Sequence, residues 1–148
     1  MEPKKEVLNH LLVVMFNQIL NIEEKALKKG PYKNLTLGEL HVIEAIGYDA
    51  TLTMSTIATK LDVTVGTLTI AMNNLVKKGY VSRVRSETDR RVVLICLTDL
   101  GQEAFMHHSA FHKEMINFTL SVLNPEEGDV LIRALEKMTA YFNQKYLE

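Results

Sequence analysis

The spacing of apolar residues changes period along the chain, and each change marks an element. From about Lys5 to Lys29, the residues Leu8, Leu11, Leu12, Met15, Ile19, Ile22 and Ala26 recur at helical spacing and predict one long helix. Gly30-Pro31 is expected to end it, the glycine by accepting a left-handed cap and the proline by being unable to continue. Thr36-Leu37-Gly38-Glu39 has the pattern of a capping box, in which hydroxyl and carboxylate serve each other's backbone N–H, and Gly47 closes the helix that follows. Two shorter helices are expected from about Thr53 to Leu61 and from about Thr64 to Lys78. After Gly79 the segments Tyr80–Arg85 and Arg91–Leu97 are rich in valine, isoleucine and tyrosine and predict two strands. The link Ser86-Glu87-Thr88-Asp89-Arg90 exceeds a two-residue hairpin turn, so its tip should project. Thr98-Asp99 caps a helix reaching to about Leu123, and Asn124-Pro125-Glu126-Glu127 starts the last one with a capping side chain, a first-turn proline and acids at the positive end of the dipole.

At 148 residues the chain fits one compact domain, or a small domain carrying dimerisation helices. Its 47% apolar and 24% charged residues describe an ordinary globular protein. Leu11 to Phe16 is too short for a membrane span, is broken by Asn17 and Gln18, and has no small-residue cleavage site, so neither membrane nor signal peptide is expected. The single cysteine, Cys96, excludes a disulfide framework and fits a cytoplasmic location; flanked by apolar residues on a strand, it reads as an inert core thiol. The formal net charge of −1 hides an asymmetry. Between Lys60 and Arg91 there are seven positive and three negative residues, a net +4, leaving −5 for the remainder. A basic segment in an acidic body is the footprint of one nucleic-acid-facing surface.

The helix from Thr64 to Lys77 supplies chemistry for that surface. Val65, Leu68, Met72, Leu75 and Val76 fall on one side; Gly66, Thr67, Ile70, Asn73, Asn74 and Lys77 fall on the other. Threonine and asparagine can donate to and accept from base edges, Ile70 can meet thymine methyls, Gly66 allows close approach, and Lys77 can neutralise a phosphate. A preceding short helix with Ile57, Ala58 and Leu61, then a tight turn at Asp62, matches helix-turn-helix geometry. Asp62 stands where glycine is usual, and aspartate tolerates left-handed backbone better than most residues. Arg83 and Arg85 lead into the projecting loop and Arg90 and Arg91 follow it; an arginine there can enter a narrow A·T-rich minor groove. Asp89 is expected to pair with Arg85 or Arg91 and fix the loop. The fold class is therefore mainly α (α+β), a winged helix-turn-helix with a two-stranded β-wing and long N- and C-terminal helices.

VTVGTLTIAMNNLVKKGYV, then RVRSETDRRVVLICLT with Asp89-Arg90 in the wing and a glycine in the next helix, resembles the MarR family of bacterial regulators over nearly the whole chain. NIEEKALKKGPYKNLTLGELHVIEAIG, VRSETDRRVV and FHKEMI resemble its fatty-acid-synthesis repressor branch, FabT. The resemblance implies a homodimer that presents two recognition helices to a palindromic operator in double-stranded DNA. Residues 36–97 would form the DNA-binding lobe, and residues 1–30 and 98–148 the dimerisation region of a single 1–148 unit. Leu8, Leu11, Leu12 and Met15, and Leu131, Leu135, Met138, Phe142 and Tyr146, suit such helices, because a monomer would leave them exposed. The branch further implies acyl carrier protein bearing a long acyl chain as corepressor. Its chain would lie along Met15, Ile19, Leu40, Ile43, Phe105, Phe111 and Met115, with His108 and His112 near the mouth. The alternatives are a repressor released by a small aromatic ligand, a metal-responsive repressor, or a winged helix that binds protein rather than DNA.

His108 and His112 are four apart and can share a helix face, yet a pair is only half a metal site. With His41 and His107 they read as packing or hydrogen-bonding histidines, and no metal or cofactor is assigned. No Gly-rich phosphate loop, serine elbow or HExxH run is present, so an enzyme is not expected.

Overall fold

The computed structural model describes residues 2–147. The chain runs α1 (Pro3–Lys29), α2 (Leu37–Ile46), β1 (Thr51–Thr53), α3 (Met54–Leu61), α4 (Val65–Lys78), β2 (Val81–Arg85), β3 (Val93–Leu97), α5 (Asp99–Ser121) and α6 (Pro125–Phe142), then a π-helical turn, Asn143–Leu147. Two compact units divide it, Met1–His108 and Ser109–Glu148. No helix among the described residues is long and apolar enough to cross a membrane.

Local chemistry sets most boundaries. The Thr36 hydroxyl accepts from Glu39 N at 3.1 Å and a Glu39 carboxylate oxygen accepts from Thr36 N at 3.1 Å, completing the capping box of α2. Asn124 and Glu127 repeat it on α6 at 2.9 Å in both directions. Each box satisfies two backbone donors that the first turn leaves unpaired. The end of α1 differs from the expectation. Gly30 is extended rather than left-handed, with φ −87° and ψ −178°, because a residue before proline is pushed out of helical space into extended backbone.

The first unit holds the core. Ile43, Ile57, Met72, Leu75 and Ile95 are fully buried, with Ile46 and Leu68 nearly so. Around them pack α2, α3, α4 and the sheet. That sheet has three strands in the order β1-β3-β2, all pairs antiparallel. The two-stranded wing thus gains β1, with Thr51 opposite Cys96 and Thr53 opposite Leu94. Three residues directly before a helix cap carry too little alternation to register as a strand. Strand β3 also starts two residues later than expected, at Val93, because Asp89 holds the Arg91 backbone N–H in the preceding turn at 3.0 Å.

Gly101 lets α5 approach the sheet. A Cβ there would sit 2.1 Å from the Tyr80 carbonyl oxygen. Thr98 caps the same helix, accepting from Gly101 N at 3.2 Å while its hydroxyl donates to the Gly79 carbonyl at 2.6 Å.

Candidate nucleic-acid interface

The turn between α3 and α4 is built as the helix-turn-helix reading requires. Asp62 is left-handed at φ 53°, ψ 48°, and Val63 N donates back to the Ala58 carbonyl at 3.1 Å. This is a Schellman closure with aspartate in the place glycine usually takes. Thr64 then caps α4: its hydroxyl accepts from Thr67 N at 3.1 Å and donates to the Thr67 hydroxyl at 2.9 Å. Thr64 is therefore committed to starting the helix, and Thr67 keeps its own hydroxyl proton to offer outward. Gly79, left-handed at φ 87°, ends α4.

The two faces of α4 are cleanly separated. Leu68, Met72 and Leu75 are buried, whereas Gly66, Thr67, Ile70, Asn73, Asn74 and Lys77 are exposed. Ile70 is the extreme case, an apolar side chain 69% exposed on a polar face. Val65 and Val76, expected inward, are 45% and 37% exposed; the core contacts a narrower arc of α4 than its apolar stripe covers.

Two connections that helical spacing does not reveal hold this face in place. Arg83 on β2 donates from Nη2 to Oδ1 of Asn73, tying strand to recognition helix. Asn73 thus presents its amide group already oriented by an arginine. At the helix end, Lys78 Nζ lies 2.7 Å from a Glu39 carboxylate oxygen and donates to the Asn34 carbonyl at 2.7 Å. Glu39 serves as both the capping acid of α2 and the anchor of α4.

The wing is a constrained loop. Ser86 N donates to the Val92 carbonyl at 2.9 Å, and Val92 N to the Asp89 carbonyl at 3.0 Å. Asp89 pairs with Arg91, through Nε at 3.1 Å and Nη2 at 3.3 Å. Arg85 instead donates to the Arg90 carbonyl at 2.8 Å. The Arg91 guanidinium, then its backbone N–H, hold the Asp89 carboxyl below the ordinary aspartate range. A lowered pKa means that the pair persists through neutral pH and is lost only as pH falls through that depressed value. Among the described residues the Arg90 guanidinium takes no part in this network, and it is exposed at the tip.

The expected effector residues fall in different surroundings. In the first unit Leu40 and Ile43 belong to the close-packed core and Phe105 packs against it, while Met15 is exposed and Ile19 half-buried. Phe111, His112 and Met115, half-buried, belong to the second unit. His108 is buried beside carboxylates: its Nε2 lies 3.2 Å from Glu23 Oε1 and 3.3 Å from Glu44 Oε2. His41 Nε2 reaches the same Glu23 oxygen at 3.2 Å. This grouping draws on three helices, so no spacing within the sequence announced it.

The sequence pattern of the MarR family matches residues 35–93, the span from the start of α2 into β3. FabT of Streptococcus pneumoniae, solved in complex with DNA, superposes with a TM-score of 0.91 at 36% identity, covering 95% of this chain and 98% of that one. MdtR of Bacillus subtilis, an HTH-type transcriptional repressor, is 28% identical over 106 residues, 72% of this chain and 68% of its own. The S. aureus MepR F27L mutant bound to an oligodeoxyribonucleotide shares the fold, with a TM-score of 0.62 at 23% identity over 90% of this chain and 96% of that one. With an exposed polar recognition helix, a basic wing and a relative of this identity along almost its whole length, the chain belongs to the MarR family of DNA-binding transcriptional regulators and is not an enzyme.

Proposed function

We propose that this protein is a homodimeric repressor of fatty-acid-synthesis genes that binds a palindromic operator and takes long-chain acyl carrier protein as corepressor. The observation that carries the reading is its likeness, along nearly the whole chain, to FabT held on DNA. Dimerisation draws support from apolar residues that a single chain leaves open. In α1, Leu8, Leu11 and Met15 are exposed; in the second unit, so are Leu131, Leu135, Phe142 and Tyr146.

On the operator, Thr67 and Asn74 read base edges, Ile70 meets thymine methyls, and Gly66 lets the backbone close on the groove. Lys77 neutralises phosphate. Arg90 enters the minor groove while Asp89 and Arg91 keep the loop in shape. Asn73 and Arg83 act as a unit, and Thr64 acts through the helix cap. Thr67→Ala and Asn74→Ala should each lose on the order of 1–3 kcal/mol of operator affinity while binding random duplex nearly as before. Arg90→Ala should lose affinity chiefly on A·T-rich flanks. Competition between operator and random DNA measures all three, and equal loss on both duplexes for the α4 variants places the wrong face in the groove.

A corepressor must bind the DNA-competent state more tightly than the alternative, so operator must tighten acyl-protein binding by the factor that acyl-protein tightens operator binding. Titrating long-chain acyl carrier protein with and without operator tests this. Equal affinities end the corepressor assignment. Weaker binding in the presence of DNA identifies an inducer instead.

A further inference from the structure

We propose that Arg83 is a positioning residue that fixes which way the Asn73 amide faces the operator, so that Asn73 selects guanine and rejects adenine. This role rests on the proposed operator reading, in which α4 enters the major groove, and adds to it the base that one side chain takes.

The contact follows from how the chain leaves α4. Gly79, left-handed at φ 87°, ends the helix, and Tyr80 N donates back to the Leu75 carbonyl at 3.0 Å. Tyr80 and Val81 are buried, and the Tyr80 carbonyl accepts from Thr98 N at 3.0 Å. Strand β2 therefore starts in a fixed place beside the helix it has just left. Arg83 is the middle residue of β2 and lies opposite the fully buried Ile95 of β3. From there its Nη2 donates to Oδ1 of Asn73, on the exposed polar side of α4. Among the described residues Arg83 has no acidic partner that would draw its guanidinium away.

That bond decides the orientation of the amide. A guanidinium carries N–H donors and no acceptor, so the Asn73 atom that meets it must be the oxygen. Nδ2 is then turned the other way. An unconstrained asparagine reads adenine with both ends, its oxygen accepting from N6 and its nitrogen donating to N7. At Asn73 the oxygen is engaged by a cation, and an adenine N6–H brought up to it would face the guanidinium N–H groups, donor against donor. What remains for a base is the Nδ2 donor. Guanine presents two adjacent major-groove acceptors, N7 and O6, whereas thymine presents only O4 and cytosine a donor. The neighbouring Asn74 side chain takes no hydrogen bond among the described residues, so it stays free to turn and to use the adenine mode.

Asn73 and Arg83 are both exposed, so in water their bond adds little to the stability of the fold. Its effect comes when DNA covers this face. Excluding water lowers the local dielectric and strengthens a charge-assisted hydrogen bond.

The test selects preferred duplexes for the full-length protein from a library with randomised half-sites, then measures affinity for each single-base-pair change in the selected sequence. Asn73→Ala identifies the pair that Asn73 reads, as the position where preference is lost. There the parent should favour guanine over adenine by roughly fivefold or more. Arg83→Ala should bring that ratio toward equality by admitting adenine, while the preferences read by Thr67 and Asn74 and the melting temperature stay as in the parent. Arg83→Lys, still a donor without an acceptor, should keep more of the ratio than Arg83→Ala. A role confined to neutralising phosphate would lower affinity on all duplexes alike and leave the ratio intact. Adenine favoured at the Asn73 pair, no position altered by Asn73→Ala, or the parental ratio retained in Arg83→Ala would overturn the proposal and leave the operator reading standing. Failure to select any sequence would overturn the operator reading, and this role with it.

Discussion

Gly101→Ala is expected to be the most destabilising glycine-to-alanine change in this protein. Alanine ordinarily helps a helix interior by about 1 kcal/mol relative to glycine. Here the added Cβ meets the Tyr80 carbonyl oxygen at 2.1 Å and Leu97 Cβ at 3.1 Å. The first is backbone, and it already accepts a hydrogen bond from Thr98 N at 3.0 Å. Relief therefore means moving α5 off the sheet by more than an ångström, in a buried region. Overpacking of this kind costs about 3 kcal/mol or more, which outweighs the propensity gain. At roughly 2–4 °C per kcal/mol the melting temperature should fall by about 5 °C or more. Gly38→Ala is the control: its Cβ finds nothing closer than the Thr36 hydroxyl at 3.9 Å, so stability should hold or rise. Similar melting temperatures for the two variants would contradict this packing.

Glu39→Ala should produce the next largest loss. The carboxylate, 6% exposed, accepts from Thr36 N and lies 2.7 Å from Lys78 Nζ. Removing one partner of a buried pair costs more than the pair is worth, because the other charge is left unpaired. Lys78 is 30% exposed and keeps its bond to the Asn34 carbonyl, so solvent softens the penalty. Adding the lost cap, the cost should be about 2–3 kcal/mol. The variant should also bind operator less well than its stability explains, since α4 loses its anchor to α2. Glu39→Gln keeps an acceptor oxygen and should lose less. Denaturant melts separate the three proteins, and equal stability of the alanine variant and the parent would show that Lys78 does not depend on this anchor.

How much of this was legible in sequence follows from range. Thr36 with Glu39, Thr64 with Thr67, and Asn124 with Glu127 are three apart, so caps and helix starts can be read from neighbours alone. The left-handed Asp62 was readable for the same reason. Gly30 misled because the following proline dictates its backbone more strongly than its own freedom does. Strand β1 escaped because three residues carry no period; it exists only by pairing with β3, more than forty residues away. The outer face of α4 was legible from its periodicity, but the arginine that orients Asn73 arrives from β2. Glu23, His41, Glu44 and His108 meet only once three helices are packed, so from the sequence their histidines read simply as packing or hydrogen-bonding residues. Local hydrogen bonding was visible in the sequence, whereas electrostatic groupings between elements were not.

In the proposed dimer, the basic segment from Lys60 to Arg91 is presented twice to duplex DNA. The most direct measurement is the affinity of the full-length protein for a palindromic duplex with half-sites about one helical turn apart, across a series of salt concentrations. One dimer per duplex is expected, with a steep linear fall of log affinity with log salt, about 0.9 for every phosphate neutralised. A salt-independent association, or a monomer at micromolar concentration, would contradict it.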